Sequence, residues 1–390
     1  MEDNEIFENL NADIDQTDDV QPAPAKTHKT AADFFRPIEV SPEVTKQTLG
    51  IESDHITPKL LMAAAAKVLA IARGEAQADD RDSLEYQRVY GSAEYLPEHI
   101  QKDGGKVARS ILWKATNRGN LDFLSAGALE PHVDSVFNES KLAQYIDGAN
   151  MFESLDANTK VTRIGEGGVG DQRMAPDEMR SIHNSFLGYI DPVRHPESLR
   201  IGLDSYMSKN TRKGSDGKLY TRMTDARTGK EDWVDSVTLA RSNVATEEYA
   251  PGGRYGDDKF VPIPRGAKGI VSYIPRNKID YYVTRSDELM SLGANSIPYM
   301  SGIKEMRAML GSKHFASTVP LDNPETPWVS VKDPDTGGPI EAKIGALMGL
   351  RKASKPGVVT AVRKDRIDVQ YKDGTKESFE LYQDFPNNQK

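Results

Sequence analysis

Between Val161 and Leu203 the sequence VTRIGEGGVGDQRMAPDEMRSIHNSFLGYIDPVRHPESLRIGL sets out a glycine cluster and a charged stretch. His183, Gly188, Pro192, Pro196, Glu197 and Gly202 follow in an order that reads as one functional loop with its anchoring segments. Its GEGGVG at 165–170 satisfies G-x-G-x-x-G, a pattern whose backbone N–H groups cradle a pyrophosphate when an apolar helix follows. Here DQRMAPDEM follows, and no acidic partner marks the end of a second strand, so dinucleotide binding is a weak reading. His28, His55, His99, His132, His195 and His314 show no paired ligand spacing, so no metal site is expected among them. His183 reads as a packed loop residue rather than a general base. Arg109, Lys114 and Arg118 either face a phosphate backbone or form a solvated helix face.

Several elements must position these residues. A helix is predicted over 58–73, with Thr57 as N-cap, Pro58 at the first helical position and Gly74 just past its end. A second is predicted from Lys106 to Asn117, with Val107, Ile111 and Leu112 as its apolar face and Gly119 as its stop. From Leu203 to Ile279 the pattern changes to short strands and turns. KGSDGKLY at 213–220 and ARTGKEDWV at 226–234 read as hairpin turns, and PGGRYGDDKF as an exposed loop. This stretch is expected to be a β-rich insert with a structural job. Helix is expected again at Ile303–Gly311. After the proline-rich PLDNPETPW, the segment GVVTAVRKDRIDVQYKDGTKESFELY alternates as strands about a Lys-Asp-Gly turn.

At 390 residues and 37% hydrophobic content the chain exceeds one ordinary domain, so two to four modules are expected. The net charge of −9 argues against simple coating of nucleic acid, but acidic residues from Glu2 to Asp19 crowd the first twenty positions and the remainder is close to neutral. Residues 1–35 carry too little apolar surface to offset chain entropy and are expected to form a disordered acidic arm or a partner-docking segment. Cysteine is absent, which excludes disulfides and thiolate zinc sites and points to a reducing compartment. No secretory signal is present, and the best apolar run, LLMAAAAKVLAIA, is short and interrupted by Lys67, so a soluble intracellular protein without a membrane partner is expected.

Four stretches in one order carry a resemblance. ADDRDSLEYQRV at 78–89 is similar to an Asp-Asp-x-Asp-x-Leu-x-x-x-Arg segment of the β subunit of multisubunit DNA-directed RNA polymerases, with Asp79, Asp80, Asp82, Leu84 and Arg88 in register. FNESKLAQYIDGANMFESLDANTKVTRIGEGG at 137–168 resembles that family's segment on the RNA side of the active centre, where rifamycin resistance usually maps. The run from 161 to 203 resembles the family's fork. VTRSDELMSLGANSIPYMSGIKEMRAMLGSKHFASTVPL at 283–321 resembles its Ser-x-Gly-Ala-x-x-Ile-Pro and Asn-Arg-x-x-Met-Gly stretches.

The resemblance implies roles residue by residue. Gln144 matches a glutamine on the RNA backbone, or else caps a turn; Lys160 and Arg163 sit at basic positions facing the hybrid, or else in exposed salt bridges. Gly165, Gly167 and Gly168 match the fork glycines that admit template and downstream duplex, and Arg173 and Arg180 are fork arginines near that DNA. Glu197, after Pro196, matches a glutamate near the incoming nucleotide, and Arg307 an arginine on its triphosphate, where a planar, permanently charged group suits a leaving pyrophosphate. Departures occur at Ser198 and Arg200 (family Gly and Asn), Ser317 (family Gln), and Ala157 and Thr162 (family His and Ser), the last two implying rifampicin insensitivity. NADIDQT at 11–17 echoes the family's catalytic Asn-Ala-Asp-x-Asp-x-Asp, but Thr17 replaces the third aspartate and the match is read as coincidence.

The implied fold is α+β and multi-module, a β-subunit fragment: a disordered arm at 1–35, a protrusion- and lobe-proximal helical module at 36–135, fork and RNA-side loop at 136–205, a β-rich external insert at 206–280, an active-centre segment at 281–325, and strands leading to barrel or flap at 326–390. The implied activity is nucleotidyl transfer within a complex, not by this chain alone. No cofactor is expected on this chain; Mg2+ is expected on the partner β-prime subunit. Implied partners are other β and β-prime fragments, template DNA, the RNA transcript and nucleoside triphosphates. A β subunit split across genes, as in giant tailed phages, fits the length, with the infected cell's cytoplasm or the virion as location. A scaffold retaining the fold without catalysis and a free-standing nucleotide-binding enzyme built on GEGGVG are the alternatives.

Overall fold

The computed structural model describes residues 38–118, 129–140, 142–145, 149–265, 270–319, 321–323, 325 and 327–381. The expected arm at 1–35, NADIDQT and Gly119 lie outside them. The chain divides into two compact units, one ending at Asp80 and one beginning at Arg81.

The first unit holds α1 (Pro42–Leu49) and α2 (Pro58–Ala72). The signals read for α2 act as expected: the Thr57 hydroxyl accepts from the Leu60 N–H at 3.2 Å, Pro58 opens the helix, and Gly74 adopts φ 76° beyond its end. Lys67, which interrupts the apolar run, donates to the Thr48 carbonyl at 2.6 Å and pairs with Asp79. No helix among the described residues is long and apolar enough to cross a membrane.

The second unit opens with α3 (Ser92–Arg118), which begins well before the expected Lys106. Pro97 and the Gly104-Gly105 pair weaken its intrinsic preference, and the sequence reading stopped at them. Its first turns are held from outside instead. Glu94 accepts from the Gly91 N–H at 2.6 Å and pairs with Lys213. Then come α4 (Glu130–Asp134), which runs into a π turn at Ser135–Glu139, and α5 (Met151–Asn158), capped by Asn150.

Strand β1 (Lys160–Thr162) pairs antiparallel with β2 (Asp204–Tyr206), opposing Lys160 to Tyr206 and Thr162 to Asp204. That two-strand clasp closes the 163–203 excursion at its base. Next, β3 (Arg212–Lys213), β4 (Leu219–Asp225), β5 (Glu231–Asp235), β6 (Val244–Ala245) and β9 (Tyr281–Val283) form one sheet in which β4 pairs with β3, β5 and β9, and β6 lies parallel to β9. A short helix, α6 (Ser236–Ala240), joins β5 to β6. The two expected hairpin turns are present, with Gly217 at φ 75° and Gly229 at φ 68°. Strands β7 (Phe260–Arg265) and β8 (Ile270–Pro275) form a separate hairpin.

Alternation along β4 sends Leu219, Thr221 and Met223 inward. There they meet Phe186, Tyr189 and Ile190 of the excursion together with Leu84, Val234, Leu239, Val244 and Val283. The β-rich stretch thus serves as the floor on which the loop packs. Tyr189 is fully buried and donates to the Val234 carbonyl at 3.0 Å, and Gly188 lets it pass, since a Cβ there would stand 2.6 Å from Met223.

Beyond the sheet lie α7 (Leu292–Asn295), α8 (Glu305–Ser317) and α9 (Ile340–Leu347). The expected helix at 303–311 is α8, extended to Ser317 because its far end is buried. Phe152 of α5 packs with Ala316, Ile340 and Ile344, and the Asn150 amide donates to the Phe315 and Ala316 carbonyls at 2.9 and 3.0 Å. The chain then forms an antiparallel meander of β10 (Gly357–Val362), β11 (Arg366–Tyr371) and β12 (Lys376–Glu380), three strands with Gly374 at φ 82° in the second turn. Helices and mostly antiparallel sheets in separate runs make the fold α+β, as expected.

Two buried charge clusters tie these parts together. Arg194 and Asp156, 4% and 6% exposed, pair at 2.7 Å, and Arg194 lies over the Tyr206 ring at 4.4 Å. Burial pushes the Asp156 carboxyl up, and Arg194 opposes the shift. Asp191, fully buried, accepts from the Val193, Arg194 and Ser291 N–H groups at 2.7, 3.1 and 2.6 Å. In the second cluster Lys209 meets Asp287, Asp333 and Asp335, while Arg285 and Lys343 bridge the same carboxylates. Desolvation works against Asp287 and Asp333, yet their hydrogen bonds and cations hold both below the usual carboxylate range.

A buried charge left without its partner is costly, whereas replacing both by apolar groups is not. Arg194→Ala is therefore expected to lower unfolding free energy by about 3–5 kcal/mol in urea titration. Asp156→Leu combined with Arg194→Met is expected to recover most of that loss. Equal loss in both variants would show that the ion pair is not the source.

Candidate nucleic-acid and nucleotide interface

Directly above the β1–β2 clasp, the glycine cluster folds into a turn pinned to Arg163. The Gly165 N–H donates to the Val169 carbonyl at 2.9 Å, Gly168 N–H to Gly165 at 3.1 Å, and Val169 N–H to Arg163 at 2.9 Å. Gly165 and Gly167 adopt φ 119° and 76°, and a Cβ on Gly168 would fall 2.2 Å from the Arg163 carbonyl oxygen. The turn itself requires glycine at these positions, a local reason independent of any strand passing over it.

The cations of this region fall into two classes. Arg163, whose side chain is 15% exposed, is turned inward: it pairs with Asp82 at 3.2 Å, donates to the Met179 carbonyl and lies over the Phe186 ring at 5.2 Å. Burial lowers its pKa against the opposing pull of Asp82. Lys160 pairs at 3.0 Å with Asp204, whose side chain is 1% exposed and which also accepts from the Thr162 hydroxyl at 2.6 Å. Arg180 donates to the Leu199, Ile201 and Gln172 carbonyls at 2.7, 3.0 and 2.7 Å, clamping two arms of the loop together. Close packing there also requires Gly202, where a Cβ would stand 2.2 Å from the Arg180 carbonyl.

Gln144, Arg173, Glu197 and Arg307 form the other class. Each is exposed, and its side chain makes no hydrogen bond or ion pair among the described residues. Gln144 precedes the fully exposed Tyr145. Arg173 follows Asp171, whose carboxylate caps a short turn through the Arg173 N–H at 2.8 Å. Arg307 projects from the first turns of α8, whose far end is fastened to α5, just before β1. Lys160, Arg163, Arg180 and the three glycines are thus gathered in the closed loop. Glu197 lies on its exposed return, and Arg307 joins through the α5–α8 packing.

His183 is packed as expected: its Nδ1 accepts from the Ser185 N–H at 3.1 Å and its ring meets Phe186 at 6.0 Å. Sequence reading passed over Asp156, Asp191 and Arg194; the signal was the Asp-Pro-Val-Arg string, whose acid and base sit one turn apart. Tyr95 was passed over too, and His99 was weighed only as a metal ligand, though their i, i+4 spacing places both on one helix face. Among the described residues no group of three His, Asp or Glu side chains is arranged to hold a metal ion.

A family profile, RNA polymerase Rpb2, domain 3, matches residues 144–212, the stretch from Gln144 through the closed loop to β3. The DNA-directed RNA polymerase subunit beta of Acetivibrio thermocellus is 25% identical over 354 residues, covering 86% of this chain and 27% of that protein. The same subunit of Clostridium tetani is 26% identical over 362 residues, covering 88% of this chain and 28% of its own length. The chain is related to the β subunit of DNA-directed RNA polymerase. It spans a little over a quarter of the length of these relatives.

At the departures from the β-subunit pattern, Arg200 lies 3.5 Å from Asp204, the Ser198 hydroxyl accepts from the Arg200 N–H at 3.2 Å, and the Ser317 hydroxyl bonds back to the Lys313 carbonyl at 3.1 Å. These side chains are engaged within the chain.

The two classes of cation make different demands on stability. Arg163→Ala removes the donor to the Met179 carbonyl and one partner of Asp82 and is expected to cost about 1–3 kcal/mol. Arg173→Ala and Arg307→Ala are expected to stay within about 0.5 kcal/mol of wild type, as for exposed side chains. Thermal or urea unfolding of the three variants checks the division; a large loss for Arg307→Ala contradicts it.

Proposed function

We propose that this chain supplies the fork and the RNA- and nucleotide-facing surfaces of an RNA polymerase β subunit, acting in DNA-templated RNA synthesis with β- and β-prime-derived partner chains and not alone. The observation that carries the reading is the division of polar groups between the matched loop and its exposed neighbours, Arg307 on α8 included. Arg163, Lys160 and Arg180 build the loop, and Gln144, Arg173, Glu197 and Arg307 are left unspent on its surroundings. Unspent charge on a rigid scaffold is what positioning of phosphates requires.

The reaction is attack of a transcript 3′-hydroxyl on the α-phosphorus of a nucleoside triphosphate, forming a phosphodiester bond and releasing pyrophosphate. Magnesium, held by the β-prime partner, stabilises the attacking and leaving oxygens when bound. Arg307 holds the triphosphate with a planar cation that remains charged throughout. Glu197 lies beside the incoming nucleotide, Gln144 on the transcript backbone, and the glycine turn with Arg173 at the point where downstream strands part. Lys160, Arg163 and Arg180 act on nucleic acid through the loop they brace. A subunit divided among several genes, as in giant tailed phages, with activity in the infected cell or the virion, belongs to the same proposal.

Two results test this reading. In a reconstituted complex, Arg307→Ala is expected to cut elongation by about 100-fold or more, the scale of losing one preorganised charge contact in the transition state, with assembly unchanged. Elongation indifferent to Arg307 would favour a scaffold role. Rifampicin is expected to leave the wild-type complex active, because Ala157 offers no hydrogen bond and the Thr162 hydroxyl is already donated to Asp204. Strong inhibition at low drug concentration sinks that expectation.

A further inference from the structure

The glycine turn is held from one further side. The Tyr95 hydroxyl donates to the Glu166 carbonyl at 3.3 Å, and His99 Nε2 lies 3.2 Å from Glu166 Oε2. Tyr95 and His99 are stacked on one face of α3 by their four-residue spacing. Glu166 stands between Gly165 and Gly167, both at positive φ, and this backbone turns its carbonyl and its carboxylate toward the same helix. The helix end that carries the two rings is itself fixed, through Glu94, to Lys213 at the edge of the sheet. A continuous path therefore runs from sheet to α3 to the tip of the turn. Glu94, Glu98 and Tyr90 also face Tyr95, and Glu98 has further interactions of its own.

Half-exposed pairs of this kind add little to global stability. The Glu166 side chain is 49% exposed and that of His99 is 21% exposed. Their effect falls on where the tip of the turn sits, because the rest of the 163–203 excursion is closed at its base by the β1–β2 pair, packed on the sheet through Phe186, Tyr189 and Ile190, and clamped on its far arm by Arg180.

We propose that Tyr95, His99 and Glu166 form a latch that fixes the glycine turn against α3, making them positioning residues for separation of the downstream strands. The consequence for strand separation rests on the polymerase reading; the latch itself does not. Two readouts keep the claims apart.

In the full-length chain, hydrogen exchange at the Gly165, Gly168 and Val169 amides reports the latch. His99→Ala, Tyr95→Phe and Glu166→Ala are each expected to speed it by about fivefold, the scale of one modest hydrogen bond, with global unfolding unmoved. His99→Ala with Glu166→Ala is expected to do no more than either alone, and His99→Gln, which still donates, to restore most protection. Unchanged exchange, or additive effects in the double variant, overturns the latch.

In the reconstituted complex, 2-aminopurine at the downstream edge of the bubble reports the consequence. Glu166→Ala is expected to change its fluorescence and leave the KM for nucleoside triphosphate unchanged. An unaltered bubble edge in an active complex overturns the positioning role. A wild-type complex that neither assembles nor transcribes overturns the polymerase reading and the positioning role with it, while the exchange data still decide the latch.

Discussion

Arg194 and Asp156 meet in the most consequential place in the second unit. Asp156 lies in the last turn of the helix that leads into the clasp, Arg194 lies on the loop that returns to it, and Tyr206 on β2 covers the guanidinium. Asp191, a few residues earlier, binds the Ser291 N–H and so fixes the start of α7. Two charges removed from water tolerate only a narrow range of geometry, because each depends on the other to offset its desolvation. That narrowness fixes the base of the loop, and with it the relation of the loop to α5. Since α5 also receives the end of α8, the helix bearing Arg307 takes its place from the same constraint.

The same physics sorts the cations. Where a guanidinium finds carboxylates and carbonyls inside the fold, as at Arg163 and Arg180, it is spent on architecture. Where the fold offers nothing, as at Arg173 and Arg307, it stays exposed and without a partner among the described residues. A motif match alone assigned all four to nucleic acid or nucleotide. The structure gives two of them an internal task, so under the proposed function they act on nucleic acid only through the shape of the loop.

Local signals were the legible ones. Thr57 with Pro58 and Gly74 marked one helix, and Gly217 and Gly229 marked hairpins, since caps and positive-φ turns are decided by neighbouring residues. The loop was legible as a unit because its glycines and prolines punctuate it. The start of α3 was not, because Pro97 and Gly104-Gly105 argue against helix locally, and what holds the first turns, Lys213 and Glu166, lies far along the chain. For the same reason Ile303–Gly311 was read short of Ser317: the continuation depends on burial of Ala316 and on the Asn150 amide. The buried Asp156–Arg194 pair joins residues too distant for any spacing rule. Exposure was the other illegible quantity; only packing separates Arg163 from Arg173.

The central claim is that this chain works as part of a polymerase, and the most direct measurement is affinity isolation of the tagged chain from the cells that make it, followed by mass spectrometry. The account predicts recovery in fixed proportion with β- and β-prime-derived chains, including one that carries the metal-binding aspartates. Recovery of the chain alone, or with partners bearing no polymerase segments, contradicts it.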